Sequence, residues 1–136
     1  MKAQAIVYVS NTGFTKRYAE VLGEVTGLPV YTAKEARKAL AKRTAVVYAG
    51  WLFATKVKGY KAAARRFDVR AVCAVGLCPT GTLLPEVRKA NGFSDAFPVF
   101  TVQGGMKRDE LRGINKSIID ILIKMMRKKA DKTEEE

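Results

Sequence analysis

The sequence predicts an α/β fold, an open and doubly wound parallel sheet of five strands with helices on both faces. Five short apolar runs alternate with segments of helical periodicity, and this alternation is typical of strand-helix-strand units joined by right-handed crossovers. The 136 residues, 48% of them hydrophobic, suffice for one buried core and are too few for two ordinary domains. We therefore expect one domain over residues 1–130 and a charged tail over residues 131–136.

The five predicted strands are apolar runs rich in Val, Ile and aromatic residues. None has a polar residue at every second position, which favours strands that are buried on both faces, as in a parallel sheet. The runs cover residues 5–9, 29–32, 44–50, 69–76 and 97–102.

Helical spacing marks the segments between these strands. In the first segment, Tyr18, Leu22 and Val25 fall on one face. The second opens with Thr32 and, three residues later, Glu35, a capping-box pattern in which each side chain bonds the other residue's backbone N–H. The third helical segment has one apolar face, formed by Val57, Tyr60, Ala64 and Phe67.

The remaining segments are less uniform. In residues 79–96, Pro and Gly break the chain into loops around one short helix. The last helix has a single apolar stripe of Leu111, Ile114, Ile118, Ile121, Leu122 and Met125.

The chain is strongly basic, because 25 Lys and Arg residues against 13 Asp and Glu residues give a net charge of +12. Such a field attracts anions of every class, so phosphate ligands, acidic proteins, nucleic acid and anionic membranes all stay open. Basic patches are usually solvated helix faces, and no nucleic-acid-reading motif is present. The patches comprise Lys34, Arg37, Lys38, Lys42 and Arg43 on the second helix, and Lys56, Lys58, Lys61, Arg65, Arg66 and Arg70 around the third.

The absence of histidine excludes an imidazole base, a Ser-His-Asp triad and histidine metal ligands. Cys73 and Cys78 lie five residues apart, which matches neither a zinc-ligand pair nor a Cys-x-x-Cys redox motif, and we expect Cys73 to lie in the core. No run reaches transmembrane length, and the run 5–9 is too short for a signal-peptide core. These features predict a protein of the reducing cytoplasm without a transmembrane segment.

Open parallel sheets bind ligands at the carboxyl ends of their strands, so the candidate site lies in residues 10–15, 50–54, 76–81 and 103–106. The first of these segments has three hydroxyl side chains, one amide and Gly13 at the start of a predicted helix, which are the donors that a phosphate needs. It is neither a Walker A sequence nor Gly-x-Gly-x-x-Gly, which disfavours nucleoside triphosphates and dinucleotides. A plain strand-to-helix turn capped by Ser or Thr is the alternative.

Residues 6–20 closely resemble the first strand, phosphate-binding loop and first helix of flavodoxins, whose loop has the pattern Ser/Thr-x-Thr-Gly-x-Thr. Residues 46–51 and the Gln-Gly-Gly sequence at 103–105 resemble small flavodoxin-domain proteins related to flavodoxin-type protoporphyrinogen dehydrogenase. The resemblance implies a flavodoxin-like sheet of order 2-1-3-4-5, one FMN bound without a covalent bond, and electron transfer through an exposed flavin edge.

The resemblance also implies which residues contact FMN. Residues 10–15, the phosphate loop, take the phosphate, and the ring lies between the segments that begin at Gly50 and Gly76. Trp51, the only tryptophan, is the candidate for stacking on the ring, with Phe53 second, whereas the alternative is that Trp51 only covers the sheet edge. Cys78 is either a packing residue or a redox-active thiol. The predicted FMN contacts are Ser10, Asn11, Thr12, Gly13, Phe14, Thr15, Gly50, Trp51, Leu52, Phe53, Gly76, Leu77, Cys78, Pro79, Gln103, Gly104 and Gly105.

The function implied is electron transfer by a protein that holds FMN and exposes its edge. The alternative is an FMN-dependent oxidoreductase that acts directly on a small substrate such as protoporphyrinogen or a quinone. A signalling receiver domain needs clustered aspartates at the strand ends, and the four segments contain none. A nucleic-acid-binding protein without a cofactor stays open. Flavodoxins are commonly acidic, so the basic charge of this chain predicts a redox partner with an acidic surface.

Overall fold

The structure is a computed structural model that describes residues 3–10, 13–76 and 83–103. Within these ranges it contains a five-stranded parallel sheet, one short antiparallel strand and four helices. The predicted last helix, whose stripe runs from Leu111 to Met125, and the predicted tail 131–136 lie outside the described residues.

Each of the five predicted runs overlaps one strand of the main sheet, and a short sixth strand follows the third. The strands are β1 (Ala5–Val9), β2 (Val30–Thr32), β3 (Ala45–Phe53), β4 (Lys56–Val57), β5 (Asp68–Gly76) and β6 (Val99–Gln103). The main sheet has the order β2-β1-β3-β5-β6, and every neighbouring pair in it is parallel. β4 pairs antiparallel with the end of β3. The five main strands therefore have the predicted order 2-1-3-4-5 once this two-residue strand is left out.

Helices occupy the connections between the parallel strands. They are α1 (Phe14–Thr26), α2 (Ala33–Ala39), α3 (Tyr60–Arg66) and α4 (Leu84–Asn91). The predicted capping box begins α2: the Glu35 N–H donates to Thr32 Oγ1 at 3.1 Å, and the Thr32 N–H donates to Glu35 Oε1 at 2.9 Å. Two glycines in the left-handed region bound α1, Gly13 with φ of 91° before it and Gly27 with φ of 74° after it. Local sequence therefore sets where α1 and α2 begin.

Each face of the sheet has its own packed core, because successive strand residues point to opposite sides. Ile6 packs with Tyr18 of α1 on one face, and Val7 packs on the other. The second core includes one buried residue from each of the other three helices: Ala36, Ala63 and Val87. The fold is therefore a doubly wound α/β sheet with helices on both faces, as the sequence predicted.

Two predicted helix faces differ in detail from the structure. Val25 lies in the last turn of α1 and is 54% exposed, so it does not extend the buried stripe. Val57 belongs to β4 and not to a helix, because α3 begins only after Gly59, whose φ of 77° turns the chain. The buried alanine of α3 is consequently Ala63 rather than Ala64.

Candidate functional site

The carboxyl ends of the central strands meet at one edge of the sheet. Val9 at the end of β1 is aligned with Gly50 of β3, and Trp51 of β3 is aligned with Val75 of β5. β1 lies between β2 and β3, so the strand order reverses at β1. Open α/β sheets bind ligands at such a reversal point, and the phosphate loop begins there.

The phosphate loop leads directly from β1 into α1. Gly13 immediately precedes the helix, and a Cβ added to it would meet no atom within 4 Å. The left-handed backbone, and not a lack of space, is therefore what favours glycine. The Gly13 N–H donates to Ser10 Oγ at 3.0 Å, and the Ser10 hydroxyl still has its own proton to donate. Thr15 is 1% exposed, whereas Asn11 and Thr12 lie outside the described residues.

The start of α1 is electrostatically suited to an anion. Gly13 has no side chain to cap the helix, and the first turn contains no acidic residue. Lys16 and Arg17 in that turn are exposed cations, and the guanidinium of Arg17 lies 5.9 Å from the centre of the Phe14 ring. Free N–H groups and the helix dipole add partial positive charge at the same place. The loop therefore presents donors and positive charge together, as a phosphate site requires.

A cleft of about 760 Å³ lies beside the phosphate loop, between the ends of β1 and β2. Its lining includes Ser10 and Gly13 of the loop together with three basic residues, Lys16, Lys34 and Arg37. Lys34 and Arg37 belong to a basic helix face that the sequence predicts to be solvated, and they are not among the predicted site residues. They join Lys16 at one cleft only because β1 pairs with β2. No local pattern in the sequence could have indicated this.

Acidic groups near this cleft partly balance its charge. The backbone N–H of Thr32 donates to the Glu35 carboxylate. The pKa of Glu35 is lowered first by this backbone hydrogen bond, then by a hydrogen bond with the Thr32 side chain, and also by the positive charge of Lys16. Burial, followed by the charges of Glu35 and Glu20, raises the pKa of Tyr8. The cleft is thus lined by three basic side chains, and the nearby Glu35 carboxylate is already hydrogen-bonded to the Thr32 N–H.

β3 continues beyond Gly50, where the sequence predicted its end. The strand runs to Phe53, and the chain then folds back as β4. In this hairpin Leu52 pairs with Val57, and Phe53 pairs with Lys56. Gly50 is buried under this hairpin, and a Cβ there would lie 2.8 Å from Val57 Cγ1. The segment 50–53 is therefore strand and not loop, and glycine at position 50 allows the hairpin to approach.

Trp51 and Phe53 form an aromatic pair at the end of β3. Their ring centroids are 6.0 Å apart and the rings are nearly perpendicular. Trp51 is half-buried, whereas Phe53 is 63% exposed. The Lys58 ammonium lies 5.7 Å from the Trp51 ring and 5.4 Å from the Phe53 ring, which are cation–π distances. Leu52 instead packs against the core on the other face of the sheet.

The remaining predicted contacts fall at the ends of β5 and β6. Gly76 and Gln103 end these two strands and are aligned with each other. A Cβ on Gly76 would lie 3.0 Å from Leu52 Cδ1, so this glycine lies close to the end of β3. Besides Asn11 and Thr12, five predicted contacts lie outside the described residues: Leu77, Cys78, Pro79, Gly104 and Gly105.

Cys73 lies in the core, as the sequence predicted, and burial raises the pKa of its thiol to about 12. Such a thiol stays protonated and is a packing group. Within the described ranges, no group of three or more His, Cys, Asp or Glu side chains could hold a metal ion. None of the helices in that part of the chain has the length and hydropathy needed to cross a membrane.

No protein-family model matches this chain, and no curated protein matches it in sequence. Among solved structures, a flavodoxin from the domain Archaea is similar to it with a TM-score of 0.50. The similarity covers 92% of this chain and 99% of that flavodoxin at 21% sequence identity. At this level of identity, the similarity is evidence for the fold alone. Together with the strand order, this comparison shows that the chain has a flavodoxin-like α/β fold.

Proposed function

We propose that this chain binds FMN without a covalent bond and transfers electrons to and from a partner protein. The observation that carries the proposal is the phosphate loop. It lies at the reversal point of a flavodoxin-like sheet, where Gly13 in the left-handed region leads into a helix whose first turn has no acidic residue. Phosphate groups bind at helix N-termini of this kind.

The described part of the loop fits a terminal phosphate. Ser10 and the backbone N–H groups at the start of α1 are donors, and Lys16 adds a positive charge beside them. Asn11 and Thr12 complete the proposed donor set from the sequence. Riboflavin has no phosphate and would lose all of these contacts, so the loop should discriminate strongly between FMN and riboflavin.

The end of β3 fits the flavin ring. Trp51 and Phe53 offer aromatic surface at the same edge of the sheet as the phosphate loop, and an aromatic face stacks well on a planar ring. When FMN is bound, it supplies the one-electron chemistry. The chain orients it, shields one side of it from water and leaves its edge open to a partner.

The charge of the chain defines the kind of partner. Residues 36–67 include nine Lys and Arg residues and no Asp or Glu, and this stretch contains the aromatic pair. Complementary charge speeds encounter and excludes like-charged proteins. We therefore assign an acidic docking surface to the redox partner, and a cytoplasmic location is part of the same proposal.

The oxidoreductase alternative has less support. Direct action on a quinone or a porphyrinogen needs a substrate pocket beside the ring, and the lining of the cleft beside the phosphate loop includes neither Trp51 nor Phe53. The resemblance to proteins related to protoporphyrinogen dehydrogenase finds no counterpart in the comparisons. Electron transfer is therefore the function proposed.

Titration of the purified chain with FMN tests the proposal. Flavin fluorescence should be quenched to saturation with one FMN per chain, and riboflavin should bind much more weakly. The reduced complex should pass its electrons to an acidic acceptor protein more slowly as salt is added. A colourless protein that cannot be reconstituted with FMN would overturn the proposal, and equal affinity for FMN and riboflavin would remove the phosphate loop from it.

A further inference from the structure

The side chain of Asn91, the last residue of α4, makes three hydrogen bonds. The Val57 N–H donates to Asn91 Oδ1 at 3.0 Å. Asn91 Nδ2 donates to the Thr55 carbonyl at 2.8 Å and to the Val87 carbonyl at 2.8 Å. One bond stays within α4, and two cross to the hairpin formed by β3 and β4. A carboxamide is needed for this, because it has an acceptor and two donors in one plane.

The hairpin that Asn91 contacts is short and has few bonds of its own. Two residue pairs join its strands, and the Lys58 N–H donates to the Trp51 carbonyl at 3.0 Å. Its turn contains Ala54, a non-glycine residue with φ of 57°. Two-stranded hairpins are marginally stable by themselves. Bonds from outside, such as those from Asn91, therefore determine how well it is held.

The same hairpin carries the aromatic pair. Trp51 and Phe53 lie in the β3 strand of the hairpin, on either side of Leu52, which pairs with the Asn91-bound Val57. A shift of Thr55 and Val57 would move both rings.

We infer that Asn91 is a positioning residue for flavin binding, which holds Trp51 and Phe53 in place through the backbone of Thr55 and Val57. The inference rests on the proposed function, since the aromatic pair is the proposed ring contact. Asn91 does not itself touch the cofactor. Its loss should weaken contacts to the ring and leave contacts to the phosphate intact.

Asn91→Ala, Asn91→Asp and the control Ser94→Ala test this selectivity. Ser94 is an exposed neutral residue three positions further along the chain. We expect Asn91→Ala to weaken FMN binding about tenfold, the equivalent of roughly one net hydrogen bond. Inorganic phosphate should still compete for the loop with wild-type affinity, which general unfolding would not allow. Ser94→Ala should leave both affinities unchanged.

Trp51 gives a second readout that needs no flavin, because it is the only tryptophan. In the apo form of Asn91→Ala, its emission should shift to longer wavelength and become easier to quench with acrylamide. Asn91→Asp keeps an acceptor for the Val57 N–H but sets a carboxylate oxygen against the Thr55 and Val87 carbonyls, so its FMN affinity should also fall. Hydrogen exchange of wild type should show a protected Val57 amide.

The outcomes separate the inference from the proposed function. If wild type does not bind FMN, the proposed function fails. If wild type binds FMN and the folded Asn91 variants bind it equally well, the inference is overturned whatever the Trp51 emission shows. If Asn91→Ala does not fold, Asn91→Asp and the exchange of the Val57 amide decide: unchanged affinity or a fast-exchanging amide refutes the positioning role.

Discussion

Gly13 and Gly27 are a matched pair of glycines at the two ends of α1, and replacing each with Ala tests the phosphate loop. Both have left-handed backbones, and at neither position would a Cβ meet an atom within 4 Å. The left-handed conformation costs an L-residue about 1–2 kcal/mol. Both variants should therefore lose similar stability, although only Gly13 is near the proposed phosphate.

FMN affinity should fall in Gly13→Ala alone. Relief of the strain rotates the backbone at position 13 and turns the N–H groups at the start of α1 away from the phosphate. One hydrogen bond to a charged acceptor contributes about 1.5–3 kcal/mol, so the Kd should rise about tenfold to a hundredfold. Gly27→Ala should bind FMN like wild type, because its strain lies at the opposite end of the helix.

Flavin fluorescence quenching gives the Kd of each variant, and thermal unfolding gives its stability. Both midpoints should fall by a similar amount, about 2–8 °C for a loss near 1 kcal/mol. The discrimination between FMN and riboflavin should shrink in Gly13→Ala and persist in Gly27→Ala. Equal FMN affinity in the two variants, at equal loss of stability, would refute the assignment of the phosphate to this loop.

Three other predictions follow from the same site. FMN should strongly quench Trp51 emission, and Trp51→Ala should weaken binding by about 0.5–1.5 kcal/mol beyond the lost burial; unchanged emission at saturation would move the stacking role to Phe53. The second reduction potential of bound FMN should lie above that of acidic flavodoxins and fall as salt screens the positive field, which spectroelectrochemical titration at two ionic strengths can check. Glu35→Gln should reduce stability at neutral pH. The folded-state pKa of Glu35 is lowered, so its contribution is present above the unfolded pKa and is lost as the pH falls through the folded pKa. Denaturant unfolding of both proteins should therefore converge in acid, and a constant difference would contradict the capping role.

Features encoded by neighbouring residues were predictable. Thr32 and Glu35 lie three residues apart and form the capping box that this spacing predicts. The strands of the main sheet follow the apolar runs to within a few residues, because burial on both faces demands continuous apolar sequence. Gly13 was identified from its place between a strand and a helix, although its role as a left-handed residue appears only in the backbone angles.

Features that depend on which strands pair were not predictable. The sequence alone determined a parallel sheet with two covered faces and a donor-rich loop after β1, since periodicity and local motifs specify burial and turns. Only the tertiary structure decided that β3 extends into a hairpin and that Lys16, Lys34 and Arg37 share one cleft. Asn91 and Thr55 are 36 residues apart, and nothing periodic in either segment specifies the other. Their hydrogen bond exists because the packing of α4 against the hairpin brings the Asn91 amide to the Thr55 carbonyl.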